Sequence, residues 1–274
     1  MQFSIITPSF RSSEWLKLCI ASVADQGVEA EHIVQDSCSD DGTQDWLPRD
    51  PRVKAFIEKD AGMYDAINRG LRRANGEILA YLNADEQYLP GALAAVARCF
   101  AAHPEAAVVF GDTIIVDRSG NWRQSRRACL PRKYHTWVSD TMGVTSCATF
   151  FRRSLLQRGC FFDERLKDLG DVVWVLKLIE QRAPMRLLGE LTSVFTETGQ
   201  NRGAGANARR ERVELVARAP LWARWGRPLF VAGHRLRKCL AGHYRQGAPG
   251  YSLYTLTSPA RRITMSAVHP TTES

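Results

Sequence analysis

Polar clusters near the start of the chain each follow a short apolar run. Together they offer carboxylate, hydroxyl and amide groups. A group of carboxylates repels a diphosphate, so a diphosphate would bind here only with a divalent cation between the two charges. These residue types therefore predict a diphosphate ligand held through a cation. The clusters are residues 8–9, Asp36 with residues 39–43, residues 60–65, and residues 83–86.

The segments between these clusters alternate between strand and helix patterns. Apolar runs at residues 3–7, 32–36, 53–59 and 77–83 predict strands, and residues 63–74 show helical spacing of apolar side chains. Such alternation predicts an α/β fold with a mostly parallel central sheet and helices on both faces. Ligands of these sheets bind at the carboxyl ends of the strands, which is where the polar clusters lie.

Several ordered motifs carry a resemblance to a known family. Residues 5–10 are IITPSF, residues 58–70 are EKDAGMYDAINRG, and residues 82–86 are LNADE. With Asp36 and the SDDGT of residues 39–43, they resemble, in order and spacing, the family-two glycosyltransferases of bacterial exopolysaccharide and colanic-acid type. The resemblance covers roughly residues 1–200 and implies the GT-A fold.

The resemblance also implies roles for individual residues. Asn83 stands where the family has the first acid of its Asp-x-Asp-like motif, so a Mg²⁺ or Mn²⁺ ion would depend on Asp85, with Glu86 as a second candidate ligand. For each acid the alternative is an ordinary turn or helix-cap residue. The donor-nucleotide residues implied by the family are Pro8, Ser9, Asp36 (to the base), Asp60, Asn83 (to the ribose) and Ala84.

The reaction also needs a base that takes the proton of the acceptor hydroxyl. In the family this base is an acid that opens a late helix, and Asp171 occupies the matching position in residues 162–177. Asp171 is also a suitable N-cap for a helix over residues 172–179. Both roles can hold together, and Asp168 is the fallback candidate for the base.

The implied function is transfer of one sugar, with inversion, from a UDP- or GDP-sugar to a glycan or lipid-linked acceptor in bacterial cell-surface or exopolysaccharide assembly. Ser146 and Cys147 replace the His-Gln pair that the family often places near the acceptor, and a Gln-x-x-Arg-Trp motif of processive enzymes is absent. The absent motif favours transfer of a single sugar over polymerisation, whereas Asn83, Ser146 and Cys147 keep open a non-catalytic relative that binds nucleotide-sugar or glycan.

The charge of +8 is unevenly distributed along the chain. Residues 1–208 are nearly neutral, whereas residues 209–262 hold 12 Arg and Lys residues but only Glu211 and Glu214. This division predicts a GT-A domain at residues 1–208 and a basic extension at residues 209–274, helical and then irregular. With Trp222 and Trp225, residues 209–245 suit an anionic membrane surface. The alternatives are a solvated helical face with docked aromatic side chains and, less expected, a nucleic-acid-binding segment.

The apolar runs, the first residues and the cysteines of the chain indicate where in the cell the protein is expected. No apolar run reaches the ~20 residues of a membrane span, and no basic leader precedes the first strand. The seven cysteines are scattered and lack a Cys-x-x-Cys pair, which is typical of buried thiols. A cytoplasmic protein is expected, peripheral on the inner face of the plasma membrane. The dinucleotide-like GAGANA of residues 203–208 comes too late in the chain to indicate such a site.

Overall fold

The computed structural model describes residues 1–139, 142–199, 205–244 and 249–266. Its first half alternates strands and helices, as the sequence predicts. The elements are β1 (Phe3–Ser9), α1 (Ser13–Ala24), β2 (Ala30–Asp36), α2 (Thr43–Trp46), β3 (Lys54–Ile57), α3 (Met63–Arg73) and β4 (Ile78–Tyr81).

The second half has longer strands and a helical segment near its end. Its first elements are β5 (Glu86–Tyr88), α4 (Ala92–Ala102), β6 (Val108–Asp117), β7 (Trp122–Arg126), α5 (Lys133–Val138), β8 (Thr149–Arg152), α6 (Ser154–Gln157), α7 (Gly170–Glu180) and β9 (Met185–Glu197). The last elements are α8 (Ala206–Ala217), α9 (Leu221–Trp225), α10 (Arg227–Leu240), β10 (Gly250–Thr255) and β11 (Ser258–Ser266).

The central sheet has the strand order β3-β2-β1-β4-β8-β6-β9-β5, with β7 paired to β6. Strands β3, β2, β1 and β4 are parallel, so their carboxyl ends meet at one edge. Strand β8 runs antiparallel to both β4 and β6, and β6 pairs with β9 in parallel. The α/β expectation is confirmed, and the parallel half of the sheet is the half that carries the polar clusters.

Both faces of the sheet are covered, as two consecutive buried side chains of β1 show. Ile5 and Ile6 are neighbours in sequence, are fully buried, and belong to different core clusters. Ile6 packs in the cluster of Ile67 and Trp174, whereas Ile5 packs in the cluster of Phe100. Successive side chains of a strand point to opposite faces, so a doubly buried strand needs apolar residues at consecutive positions.

Strand β9 differs from the sequence expectation. The apolar patterns of residues 185–188 and 192–198 favour two separate strands, but a single strand covers Met185–Glu197. Gly189 lies within it with a φ of 74°, and the pairing with β6 shifts register beyond this glycine. A residue with positive φ permits such an irregularity without ending the strand.

The end of the chain also departs from expectation. Residues 209–240 are largely helical, but β10 and β11 form an antiparallel hairpin where irregular chain was expected. The hairpin is fixed to the body, because Tyr254 Oη donates to Asp25 at 2.8 Å and Arg262 pairs with Asp25 at 2.6 Å. These partners lie far away in sequence, so composition alone could not predict the pairing.

Within the described residues, no helix has the length and apolarity that membrane crossing requires. Residues 199–208 are rich in Gly, Asn and Arg and favour a loop. Residues 200–204 lie outside the described residues, as do Arg245 and residues 267–274, whereas residues 206–208 belong to the first turn of α8 and not to a loop.

Candidate active site

A cavity of about 1590 Å³ opens at the edge where β1 and β4 end. Its walls come from these strand ends, from the loop before α3, from the start of α7, and from α5 and α10. Most of the expected site residues line this cavity. They are Pro8, Ser9, Asp60, Asn83, Ala84, Asp85 and Asp171.

Asp36 is the expected site residue that does not line the cavity. It is fully buried at the end of β2, and its carboxylate accepts hydrogen bonds from the backbone N and the Oγ of Ser39 at 2.8 and 2.7 Å. Ser39 in turn accepts the backbone N of Arg11. Asp36 thus holds the loop behind the cavity wall, and its contact with a base stays a prediction.

Asp40 and Asp41 have local structural partners. Asp40 forms an exposed ion pair with Arg11 at 2.6 Å. Asp41 accepts the backbone N of Ser13 at 2.8 Å and the hydroxyl of Thr43 at 2.6 Å. These contacts shape the turn before α2 and connect it to the start of α1, as expected of an Asp-Asp-Gly turn.

Asn83 and Asp85 lie in the short connection between β4 and β5. The backbone N of Asn83 donates to Glu86 at 2.8 Å, and Glu86 is only 1% exposed. Burial, together with the nearby charge of Asp85, raises the pKa of Glu86 to about 8. Glu86 does not line the cavity, and its Oε2 holds this connection, while its Oε1 has no hydrogen-bond partner among the described residues. Its part as a second metal ligand stays a prediction.

The donor side of the cavity carries unsatisfied oxygens. Ser9 Oγ and Asn83 Oδ1 are buried with no hydrogen-bond partner among the described residues. Burial raises the pKa of Asp85, since its charged form loses water. Buried polar groups without partners are rare unless a ligand or ion satisfies them. The described residues contain no cluster of three or more Asp, Glu, His or Cys side chains that could hold a metal ion.

Asp171 lies in the first turn of α7, one residue after the helix begins at Gly170. The N-cap expectation is therefore wrong, because Leu169 occupies that position. The carboxylate of Asp171 accepts the backbone N of Val172 at 2.8 Å and the Tyr64 hydroxyl at 3.4 Å. Burial raises the pKa of Asp171 to about 6. Such a carboxylate is ionised at neutral pH and is more basic than an exposed one.

Asp168, the fallback base, also lines the cavity but has a side-chain partner. Its carboxylate accepts Asn207 Nδ2 at 2.8 Å. The loop that carries Asp168 is held by Glu211 of α8, which accepts the backbone N atoms of Lys167, Asp168 and Leu169 at 2.8 to 3.1 Å. Sequence reasoning assigned no role to Glu211, although one of only two acids within a basic segment was a signal that could have been followed.

Ser146 and Cys147 separate in the structure. Ser146 lines the cavity, whereas Cys147 is fully buried behind it, where burial raises the thiol pKa well above its usual value. Sequence reasoning also missed the basic side of the cavity, which α10 and the β6–β7 hairpin supply. Its signal was present in the Arg and Lys residues of the extension, for which the sequence analysis considered a membrane surface, a solvated helical face or nucleic acid, but not the cavity.

Comparison with known proteins bears on the identity of this site. The family model described as "Glycosyl transferase family 2" matches residues 4–160. The chain belongs to glycosyl transferase family 2. A family-2 chain from Mycobacterium bovis, "PGL/p-HBAD biosynthesis glycosyltransferase", is 36% identical over 176 residues, which cover 62% of this chain and 66% of that one. This chain therefore spans just under two thirds of the length of that relative.

Other family relatives and solved structures agree on the fold. A "GalNAc(5)-diNAcBac-PP-undecaprenol beta-1,3-glucosyltransferase" from Campylobacter jejuni is 26% identical over 219 residues, covering 76% of this chain and 70% of that one. S. aureus TarS 1-349 with UDP-GlcNAc matches with a TM-score of 0.59 and 19% identity, covering 87% of this chain and 72% of that chain. These likenesses confirm the GT-A fold.

Proposed function

We propose that this chain transfers one sugar from a UDP- or GDP-sugar to an acceptor hydroxyl, with inversion, in the assembly of a bacterial cell-surface or exopolysaccharide glycan. One observation carries the proposal: Asp85 and Asp171 line the same cavity, between strand ends and the start of α7. A donor-binding acid and a base can thus act on one substrate pair.

On the donor side, Asp85 would hold Mg²⁺ or Mn²⁺ together with the phosphates, and Asn83 Oδ1 and Ser9 Oγ would gain polar partners. Hard oxygen ligands suit both ions. The ion would neutralise the charge of the leaving nucleoside diphosphate. A mannosyltransferase from Pyrobaculum calidifontis, solved with GDP-Man and Mn2+, has this fold with a TM-score of 0.55 at 18% identity, covering 88% of this chain and 75% of that one.

On the acceptor side, Asp171 would take the proton of the attacking hydroxyl while the oxygen forms its bond to the anomeric carbon. In this single displacement, the bond to the nucleoside diphosphate breaks on the opposite face, which inverts the configuration. A base with a pKa near 6 suits neutral pH, because it is ionised and still accepts a proton readily.

The names of two relatives support the substrate class. The Campylobacter relative is named for an undecaprenol-diphosphate glycan, and a Bacillus subtilis relative, 35% identical over 91 residues, for teichuronic acid biosynthesis. We therefore infer a glycan or lipid-linked acceptor. A cytoplasmic location on the inner face of the plasma membrane would place the enzyme beside both the donor and such an acceptor.

A contact with an anionic membrane is part of this proposal. Helices α9 and α10 expose large apolar side chains beside many Arg and Lys residues, which suits an anionic lipid surface. No nucleic-acid partner is expected, since the strand-end rim of the cavity is acidic. The exposed apolar residues are Leu221, Trp222, Trp225, Leu229, Leu236 and Leu240.

Thermal shift with UDP and GDP, with Mn²⁺ or with EDTA, tests the donor site. We expect stabilisation only with the cation, and expect Asp85→Ala to lose both this stabilisation and turnover. Asp45→Ala, an exposed acid outside the cavity, is the control. Equal stabilisation in EDTA would show that the nucleotide binds without a cation.

Asp171→Asn separates the base from the donor site. It retains an oxygen for the backbone N of Val172, so the fold and nucleotide affinity should persist, while transfer falls by ~10²–10⁴-fold. If Asp171→Asn transfers sugar normally and Asp168→Asn does not, the base is Asp168 and not Asp171. Failure of the wild-type protein to turn over any donor, despite nucleotide binding, would favour the non-catalytic relative.

A further inference from the structure

The cavity carries opposite charges on its two sides. The donor side presents Asp60 and Asp85, with Lys59 beside them, whereas the side formed by α10 and the β6–β7 hairpin is rich in cations. This basic side is formed by five cations, and none of the five forms an ion pair with another described residue. Their charge is therefore available to a ligand. The cavity-lining cations of this basic side are Arg118 and Arg126 from the β6–β7 hairpin, the adjacent Arg127, and Arg235 and Lys238 from α10.

A buried histidine belongs to the same side. His135 of α5 lines the cavity at 4% exposure, and its Nδ1 has no hydrogen-bond partner among the described residues. Its ring stacks on that of His234, which also lines the cavity, with centroids 3.9 Å apart and planes 13° apart. A buried ring nitrogen without a partner is uncommon in a folded protein and indicates that a ligand or water completes it.

The surroundings of His234 confirm that positive charge dominates here. Burial, followed by the nearby imidazole of His135 and the charges of Arg237 and Lys238, lowers the pKa of His234 to about 4. The main charged neighbours that cause this shift are all basic. The basic side is therefore an electropositive region that an anion would stabilise.

Helix α10 connects this region to the exposed apolar surface. Val231, His234, Arg235 and Lys238 line the cavity at helical spacing, which places them on one side of the helix. Leu229, Leu236 and Leu240 are exposed on the same helix, at 59–80% of their surface. A ligand with an anionic head and an apolar tail could therefore contact both surfaces of one helix.

Resting on the proposed function, we propose that the basic side of the cavity binds the phosphate or diphosphate group of the acceptor, and that this group belongs to a lipid-linked acceptor. Arg and Lys side chains bind phosphate oxygens through charge-assisted hydrogen bonds. The acidic donor side would repel the same group. The two charged sides thus keep the acceptor phosphate apart from the nucleoside diphosphate.

Calorimetric titration with inorganic pyrophosphate in EDTA tests the anion site directly, because the donor side should not bind pyrophosphate without a cation. We expect wild-type protein and Asp85→Ala to bind, and the double variant Arg235→Gln/Lys238→Gln to lose affinity on the order of tenfold or more. Arg224→Gln, an exposed α9 cation outside the cavity, is the matched control and should bind normally. Unchanged affinity in the double variant, or an equal loss in the control, would overturn the proposal.

Competition by a short-chain polyprenyl diphosphate identifies the source of the phosphate. Labelled pyrophosphate is bound to the protein and then displaced either by the polyprenyl diphosphate or by unlabelled pyrophosphate. If the polyprenyl diphosphate displaces it at a tenfold lower concentration than unlabelled pyrophosphate does, the result supports a lipid-linked acceptor. Equal potency would overturn the lipid part of the proposal and assign the site to a soluble phosphorylated acceptor. The nucleotide experiments with Asp85→Ala are independent, so a failed donor site and a failed anion site can be told apart.

Kinetics give a second readout in the complete enzyme. With a sugar on a polyprenyl diphosphate as acceptor, the double variant should raise the acceptor KM and leave kcat and the donor KM unchanged. With the same sugar on an uncharged alkyl chain, the wild type and the double variant should have equal KM values. A rise in KM for both acceptors would show that the substitutions disturb the cavity rather than remove a phosphate contact.

Discussion

At the scale of single residues, the environment of Asp171 determines when the proposed base can act. Its pKa is raised to about 6 from an ordinary value near 3.8, chiefly by burial. Transfer requires the ionised carboxylate, so activity should be present above pH 6 and fall as pH drops through about 6. A freely exposed aspartate would lose this activity only about two pH units lower.

Tyr64 adjusts this pKa and provides a test. Its hydroxyl lies 3.4 Å from the Asp171 carboxylate and 3.2 Å from the carbonyl oxygen of Asp168, the two acceptors open to its one proton, and it accepts the backbone N of Asp171 at 3.2 Å. The hydrogen bond from Tyr64 favours the charged carboxylate, so Tyr64→Phe should raise the pKa of Asp171 and move the acidic limb of the kcat/KM profile to higher pH.

Tyr88→Phe is the matched control for this profile. Tyr88 is fully buried as well, but its hydroxyl has no hydrogen-bond partner among the described residues. We expect the kcat/KM of Tyr88→Phe to fall at the same acidic pH as that of the wild type. If the kcat/KM of Tyr64→Phe also falls at the wild-type pH, the fall is due to another group or Tyr64 does not donate to Asp171.

At the scale of elements, the contact between α3 and α7 sets the position of the base. Gly170 begins α7, and a Cβ there would lie 2.5 Å from Cε2 of the Tyr64 ring. Gly170→Ala should therefore push α7 away from Tyr64 and displace Asp171. We expect a loss of about 1–3 kcal/mol in unfolding free energy, measured in urea, and a lower kcat with unchanged nucleotide affinity.

Gly233→Ala shows what the same substitution does without crowding. Gly233 lies within α10, and a Cβ there would meet no atom within 4 Å. Alanine should stabilise this helix by roughly 0.5–1 kcal/mol. If Gly170→Ala were as stable and active as the wild type, the close packing of Tyr64 on α7 would not control the base.

At the scale of the whole molecule, the basic extension packs against the rest of the fold through α8 and the β10–β11 hairpin. Removing residues 209–274 would remove Glu211, which holds the loop before Asp171, and the hairpin that contacts Asp25. Deletion would thus disturb the site as well as any membrane contact. Surface substitutions are the sharper test of membrane binding.

Trp225→Ser with Leu229→Ser removes two apolar side chains that are 82% and 78% exposed. We expect wild-type protein to float with vesicles that contain phosphatidylglycerol, less so as salt rises, and the double variant to float poorly. Leu187→Ser, on β9, should behave like the wild type. Wild-type protein that stays free of anionic vesicles at low salt would contradict the membrane contact.

The sequence by itself determined the parallel half of the sheet and most of the donor side. Apolar strands ending in polar clusters specify both local structure and position, because the carboxyl ends of parallel strands meet at one edge. Pro8, Ser9, Asp60, Asn83 and Asp85 therefore came together in one cavity as expected.

Tertiary structure alone decided the rest, because those features depend on residues distant in sequence. Asp36 turned inward to hold Ser39, and Glu211 bound a loop more than forty residues before it. The Arg and Lys residues of α10 reached the cavity only because the helix packs beside α5, a contact that charge and periodicity do not encode. Composition indicated that the extension was basic, and the fold decided that part of this charge lines the cavity.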